Sequence, residues 1–136
     1  MSYLIDTDIL SLLFRKNVPE QLASWAEGKR EIFISAVTMA EQEFGLEAAP
    51  QTHRKELEVI LQNIRETYTE FTLPISVPVL VRWKQLIAEL KKKKRTMTCE
   101  DSLIAATALH LGYKVVTRNV RHFEPSGVEC VNPLSA

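Results

Sequence analysis

Glycine, cysteine and long apolar stretches are all scarce in this 136-residue sequence, which has 4 glycines and 2 cysteines. Few glycines and prolines exclude collagen-like and low-complexity chains, and two cysteines without a CxxC pair exclude a disulfide framework. No stretch is apolar enough to cross a bilayer, and acids interrupt the opening MSYLIDTDIL where a signal peptide needs an apolar core. We therefore expect one cytoplasmic domain over residues 1–136, with no membrane segment.

An excess of charge of either sign is also missing. Seventeen Lys and Arg residues balance seventeen Asp and Glu residues. Such a balance excludes the global basic field typical of many nucleic-acid binders, so any site for a polyanion must be local. The content of 46% hydrophobic and 25% charged residues is typical of a folded globular domain.

Aspartate is the scarcest acid, with three residues among the seventeen acids. Asp6 and Asp8 lie between the apolar segments YLI and IL, and Asp101 precedes LIAATA. The other acids are glutamates, mostly in segments with helical periodicity. The aspartates therefore stand out as candidates for a function other than surface solvation.

The pattern of apolar residues predicts alternating strands and helices. Continuous apolar runs predict strands at residues 3–5, 32–34, 71–75, 115–117 and 129–131. Helical periodicity predicts helices at residues 9–14, 19–28, from 35 or 38 to 49, 52–68, 79–95 and 98–112. Strands without an apolar–polar alternation are buried on both faces. The sequence thus predicts an α/β fold, a three-layer αβα sandwich with a mainly parallel sheet of about five strands.

Three acids lie where this architecture would bring them together. Asp6 follows the first strand, Glu41 lies in the helix after the second, and Asp101 lies in the first turn of the buried helix. Ligands of open parallel sheets bind beyond the carboxyl ends of the strands. We therefore expect these side chains to share one cleft.

Each acid taken alone also fits a local role. Thr7 or Asp8 is the predicted N-cap of the first helix, with Asp6 as a partner of the helix dipole. Thr38-x-x-Glu41 and Thr98-x-x-Asp101 both have the spacing of a capping box.

Carboxylates gathered in one cleft repel each other, which raises their pKa values or requires a cation. Oxygen ligands without a His or Cys cluster favour Mg²⁺ or Mn²⁺, held by Asp6, Glu41 and Asp101. Such ions polarise a phosphate, activate water and stabilise the leaving oxygen. The three acids are therefore predicted to catalyse hydrolysis of a phosphodiester.

Three segments together resemble the PIN-domain family, and within it the VapC-type toxins, the ribonuclease components of toxin–antitoxin pairs. YLIDTDILS resembles the opening strand with its metal-binding aspartate, which assigns that role to Asp6. ISAVTMAEQEFG resembles the second motif and assigns an acidic role to Glu41. EDSLIAATALHLGYKVVTRN resembles the third and fourth motifs, with Asp101 as the third acid and Asn119 at the place of a fourth.

The resemblance covers nearly the whole chain and implies a PIN-like sheet with strand order 3-2-1-4-5. It also implies a Mg²⁺- or Mn²⁺-dependent endoribonuclease toxin that acts on tRNA or rRNA. A homodimer and inhibition by a VapB-like antitoxin are further implications. The amphipathic segments at residues 9–28 and 52–68 are candidates for the antitoxin groove.

Two positions depart from the family pattern. Asn119 is neutral where many members carry a carboxylate, although asparagine also occurs there and its amide could orient a metal-bound water. Asp8 stands where Asn or Ser is more usual, and we hypothesise that Asp8 partly restores the charge missing at Asn119. Thr7 and Thr117 are predicted to hydrogen-bond the acids or a phosphate, with ordinary turn and cap roles as the alternative.

Local clusters of cations are the candidate RNA contacts. Residues 91–95 are five consecutive cations, of which Lys94 and Arg95 come closest to the third motif. Their alternative role is to stabilise a helix C-terminus. Arg118 and Arg121 lie nearer the predicted acidic edge and are better candidates. His122 is assigned no catalytic role, because a metal ion makes a general base unnecessary.

The same residues also partly match the patterns of other functions. The Asp6-x-Asp8 pair resembles haloacid-dehalogenase-like phosphatases, but position 10 is Leu and no later strand ends in Lys or Gly-Asp. A receiver-like phosphoacceptor lacks its aspartate after residues 71–75. The main alternative is a catalytically degenerate PIN domain that binds RNA or a partner protein without cleaving RNA.

Overall fold

The computed structural model describes residues 1–28 and 31–135. Within these residues, five parallel strands form one sheet in the order β3-β2-β1-β4-β5. The strands are β1 (Tyr3–Ile5), β2 (Ile32–Ser35), β3 (Thr72–Leu73), β4 (Lys114–Val116) and β5 (Cys130–Val131). The predicted α/β fold and strand order are confirmed. Lys29, Arg30 and Ala136, part of the domain predicted over residues 1–136, lie outside the described residues.

Helices connect the strands and cover both faces of the sheet. They are α1 (Thr7–Leu13), α2 (Glu20–Ala26), α3 (Ala36–Ala48), α4 (Arg54–Tyr68), α5 (Val77–Lys93), α6 (Cys99–Leu111) and α7 (Val120–Phe123). Single 3-10 turns occur at Gln51–His53 and Glu124–Ser126. In the part of the chain that is described, no helix has the length and apolar content of a membrane span.

Several elements differ from the sequence prediction. The strand predicted at residues 71–75 is reduced to Thr72–Leu73, because Pro74 has no N–H to continue the ladder. The helix predicted to run through residue 95 ends at Lys93, and Lys94 takes the left-handed conformation with φ 54°. The short helix α7 and both 3-10 turns were not predicted, since single turns show too little periodicity to be recognised.

Two apolar clusters lie on opposite faces of the sheet. Leu4 packs with residues of α5 and α6, whereas Ile5 packs with residues of α1, α2 and α4. Val115 and Val116 divide between the two faces in the same way. Adjacent residues of a strand point to opposite sides, which is why unbroken apolar runs mark strands covered on both faces.

Helix α6 is buried along most of its length and fixes the position of the third acid. Its residues Ile104, Ala105, Ala106 and Ala108 are all in the core. The Trp83 indole Nε1 donates a hydrogen bond to Ser102 Oγ at 2.8 Å and so ties α5 to α6. This packing holds the first turn of α6 at the carboxyl edge of the sheet.

Candidate active site

Asp6 joins the end of β1 to the start of α1. Its backbone N–H donates to Val116 O at 3.1 Å, and its carboxylate Oδ1 accepts from the Ile9 N–H at 2.9 Å. Asp6 is therefore the N-cap, and the prediction of Thr7 or Asp8 in that position was wrong. The helix begins at Thr7, two residues before the periodic apolar segment that suggested its start.

The Asp6 side chain is buried, with 6% of the residue exposed. This burial raises the pKa of Asp6 above its ordinary value, and repulsion from Asp8 and Asp101 adds to the increase. Hydrogen bonds from the Thr117 hydroxyl and the Ile9 N–H act in the opposite direction and lower the pKa of Asp6. Thr117 thus bonds an acid, one of the roles predicted for it, while its oxygen also accepts from the Asn119 N–H at 2.9 Å.

Glu41 lies in the second turn of α3. Ser35 caps this helix by accepting from the Val37 N–H at 3.0 Å, which places Thr38 inside the first turn. The capping box considered for Thr38 and Glu41 is therefore not formed. Instead, the Thr7 hydroxyl donates to Glu41 Oε1 at 2.8 Å, a contact between residues 34 positions apart.

Asp101 lies in the first turn of α6. Thr98 caps the helix by accepting from the Asp101 N–H at 3.1 Å, as the predicted capping spacing requires. The Asp101 side chain stays directed toward the pocket, with Oδ2 3.9 Å from His122 Nδ1. Burial raises the pKa of Asp101, and the Thr98 hydrogen bond and nearby His122 oppose this increase.

One pocket of about 150 Å³ brings these three acids together. Asp6 comes from the end of β1, Glu41 from α3 and Asp101 from α6. The remaining lining residues are Thr7, Asp8, Glu100, Ile104, Asn119, His122 and Phe123. Acids separated by up to 95 positions in sequence thus share one edge of the sheet, as the topology predicted.

Glu100 is a pocket residue that the sequence analysis passed over. Burial raises the pKa of Glu41 to about 7, and a hydrogen-bond contact with the Glu100 carboxyl contributes further. Glu100 is exposed, as its position suggested, yet it reaches Glu41 in a neighbouring helix. The only sequence signal was its place beside Asp101 in the first turn of a helix.

Asp8 is paired with Arg118 at the rim of the pocket. The guanidinium donates from Nε to Oδ2 at 2.7 Å and from Nη2 to Oδ1 at 3.0 Å. The charge of Asp8 is thus partly balanced by Arg118, although it still contributes to the raised pKa of Asp6, and the hypothesis that Asp8 replaces a charge missing at Asn119 stays a prediction. Asn119 lines the pocket and its side chain does not cap α7.

Known proteins share this fold and its sequence pattern. Residues 3–126 match the family described as PIN domain. The chain belongs to the PIN-domain family. It is 29% identical to VapC ribonuclease Y4jK of Sinorhizobium fredii, over 95% of each chain. It is 27% identical to toxin FitB of Neisseria gonorrhoeae, over 96% of each chain.

A solved structure shares the whole PIN fold. The crystal structure of FitAcB from Neisseria gonorrhoeae matches with a TM-score of 0.88 and 26% identity, covering 98% of this chain and 99% of that chain. The strand order and the two covered faces therefore follow a known arrangement.

The acids of the PIN pocket fit a hard divalent cation by donor type and charge. Burial and repulsion between acids raise the pKa values of Asp6, Glu41 and Asp101. A nearby positive charge would therefore lower the free-energy cost of ionising these carboxyl groups. Across residues 1–28 and 31–135, no three His, Cys, Asp or Glu side chains stand close enough to enclose an ion.

The predicted RNA-contacting cations of this PIN domain occupy two places. Arg118 and Arg121 are exposed beside the pocket, before and within α7. Lys94 and Arg95 are exposed after α5 and precede a second concavity of about 330 Å³. This concavity is lined by Thr96, Met97, Thr98, Asp101 and His122, and it shares the last two with the acidic pocket.

Proposed function

We propose that this PIN domain is a VapC-type endoribonuclease toxin that hydrolyses phosphodiester bonds of tRNA or rRNA with Mg²⁺ or Mn²⁺. The observation that carries the proposal is the convergence of Asp6, Glu41 and Asp101 in one pocket. The names ribonuclease and toxin among its relatives support the same conclusion. Paired carboxylates at the end of a parallel sheet are suited to holding a hard cation against a phosphate.

Asp6, Glu41 and Asp101 would hold the ion in this mechanism. The cation supplies Lewis-acid activation of the phosphate and of the attacking water. Two of the acids are oriented by donors: the Ile9 N–H and Thr117 for Asp6, and the Thr7 hydroxyl for Glu41. These donors favour the ionised form that a metal ligand needs, because they stabilise the charged carboxylate.

The positions of the cations support an RNA path across the pocket. Arg118 pairs with Asp8 of the acidic pocket, and Arg121 precedes His122, which also lines it. Lys94 and Arg95 precede Thr96 of the neighbouring concavity. Phosphates near the cleaved bond would then meet positive charge, while the scissile phosphate would meet the metal. Arg118 is held in place for this contact by Asp8.

An inhibitory partner such as a VapB-like antitoxin is the second part of the proposal. Phe44 of α3 and Val59 of α4 are 67% and 63% exposed, so both helices present a large apolar side chain to solvent. The groove between these helices, lined in part by Leu46 and Leu57, also includes Glu41. A partner seated there would reach the acidic pocket and block it.

A homodimer is proposed from a different surface. Val77 and Val81 of α5 are 74% and 51% exposed, and Leu80 and Ile87 lie on the same exposed side. A second copy that packed on this face would bury apolar area that is costly to leave in water. Light scattering of Val81→Glu against the wild type tests this: the variant should be monomeric at a concentration where the wild type is dimeric.

The test of the catalytic proposal is RNA cleavage by the purified protein. Wild type should cleave in the presence of Mn²⁺ or Mg²⁺ and stop when EDTA is added. Asp6→Asn should lose cleavage while keeping its fold, because asparagine caps a helix as well as aspartate does. Mapping of RNA ends after expression of the two proteins then identifies the RNA and the bond. Wild-type protein that binds RNA but cleaves none with either metal supports the degenerate, binding-only alternative instead.

A further inference from the structure

The pocket contains charged residues besides the three predicted acids. Asn119 is neutral, and Asp8 gives both carboxylate oxygens to Arg118. Asn119 thus adds no negative charge to the pocket, and the charge of Asp8 is partly balanced by Arg118. Glu100 is the remaining acid that lines the pocket.

Glu100 is placed to act on the same ion as Glu41. It lies in the first turn of α6, one residue before Asp101, and its carboxyl contacts that of Glu41 across the gap between α6 and α3. Among the described residues, Glu100 forms no ion pair with Lys, Arg or His. Both carboxyls line the same pocket, and carboxylate oxygens are the ligands that a hard divalent cation prefers.

The position of Glu100 also explains how its charge is tolerated before an ion arrives. The exposed N–H groups in the first turn of a helix carry partial positive charge, which stabilises acids there. Six of the thirteen residues of α6 are buried, which fixes the position of the helix that carries this turn. The turn therefore presents two adjacent acids, Glu100 at the solvent side and Asp101 deeper in the pocket.

We propose that Glu100 is a fourth acid of the pocket and, with Glu41, helps to hold the divalent cation. This inference rests on the proposed function and adds a residue to it. The carboxylate of Glu100 supplies either a ligand oxygen or the negative charge that Asn119 lacks. Its contact with Glu41 places carboxyls from two neighbouring helices at the same pocket, next to Asp101.

The experiment is a calorimetric titration of Mn²⁺ into the full-length protein after removal of metal with EDTA. We compare wild type with Glu100→Gln, Glu100→Asp and the control Glu56→Gln. Glu56 is an exposed glutamate in the first turn of α4, away from the pocket, so it matches Glu100 in local setting. Thermal unfolding in EDTA checks that each variant is folded.

Glu100→Gln should weaken Mn²⁺ binding by about 10-fold, as loss of a supporting group at a metal site typically does. Glu100→Asp keeps the charge and should retain more of the affinity than the amide variant. Glu56→Gln should bind as the wild type does. Because glutamine can still hydrogen-bond Glu41, a merely structural contact would survive in Glu100→Gln and leave the affinity unchanged.

The two proposals fail in different ways. If wild type and Glu100→Gln bind Mn²⁺ equally well while Asp6→Asn does not bind it, the role of Glu100 is overturned. The proposed function then still stands. Wild type that does not bind Mn²⁺ overturns both. If Glu100→Gln is unfolded in EDTA, Glu100→Asp decides: an affinity as weak as that of Asp6→Asn contradicts a role based on charge.

Discussion

Arg118 donates two hydrogen bonds to Asp8 across 110 positions of sequence, with Nε 2.7 Å from Oδ2 and Nη2 3.0 Å from Oδ1. The pair joins the loop after β4 to the first turn of α1, next to Asp6. It raises the pKa of Arg118 through the hydrogen bond to Asp8. The rim of the acidic pocket is therefore a neutral pair of opposite charges rather than an additional carboxylate.

Asp8→Asn is expected to weaken Mn²⁺ binding, because it leaves the cation of Arg118 uncompensated beside the pocket. The double variant Asp8→Asn/Arg118→Gln should recover the affinity of the wild type. Both are measured by calorimetry. Since solvent screens this rim pair, its loss should change the free energy of unfolding only slightly. A double variant as weak as Asp8→Asn alone would mean that Asp8 acts on the ion directly, as first hypothesised.

The stability of the metal-free protein should fall with rising pH. The pKa of Glu41 is raised from 4.5 to about 7 by burial and by its contact with Glu100. Between these values the folded state keeps a proton that the unfolded state releases, so the free energy of unfolding decreases as pH rises and levels off above about 7. Urea unfolding in EDTA at a series of pH values measures this slope. Glu41→Gln should flatten it, and an unchanged slope would contradict the assignment.

Thr7→Val removes a donor to the Glu41 carboxylate while nearly preserving shape. The Thr7 hydrogen bond lowers the pKa of Glu41, so its loss should shift the rise of RNA cleavage with pH to higher values. Stability at about pH 8 should fall by about 1 kcal/mol. Thr67→Val is the matched control, because that hydroxyl bonds a carbonyl on the exposed α4 surface. A cleavage profile that stays in place for Thr7→Val would show that this hydroxyl does not orient Glu41.

Ser102→Ala tests the contact that fixes α6 against α5. The substitution removes the acceptor of the Trp83 indole N–H, which lies 2.8 Å from Ser102 Oγ. We expect a loss of about 1 to 2 kcal/mol in the free energy of unfolding, together with a shift in tryptophan emission. Chemical denaturation followed by fluorescence gives both quantities. Wild-type stability with unchanged emission would show that the contact does not anchor the helix.

The sequence was sufficient for the architecture and for the meeting of the three main acids. Unbroken apolar strands separated by helices leave few arrangements other than a parallel sheet, and the carboxyl ends of such strands meet at one edge. Asp6 and Asp101 flank strongly apolar segments, so their placement follows from burial of those segments. The placement of Glu41 follows from its short separation in sequence from the end of β2.

Contacts between distant side chains could not be predicted in the same way. The pairing of Asp8 with Arg118 and the contact of Glu41 with Glu100 depend on rotamers and on the separation of helices, which periodicity does not fix. The N-cap of α1 was misplaced for a local reason: Asp6 serves both as the cap and as the buried acid of the pocket. Because Asp6 has both roles, its place in the sequence alone does not show that it is the residue that caps the helix.

The most direct measurement of the central claim is anomalous scattering from a crystal of the protein grown or soaked with MnCl₂. A peak should lie in the acidic pocket, with carboxylate oxygens of Asp6 and Asp101 at about 2.1 Å and that of Glu41 directed toward it. A crystal of Asp6→Asn treated with MnCl₂ in the same way should lack the peak. A manganese site elsewhere on the molecule with the pocket empty, at metal concentrations that support RNA cleavage, would contradict the assignment of these acids to a metal-dependent nuclease.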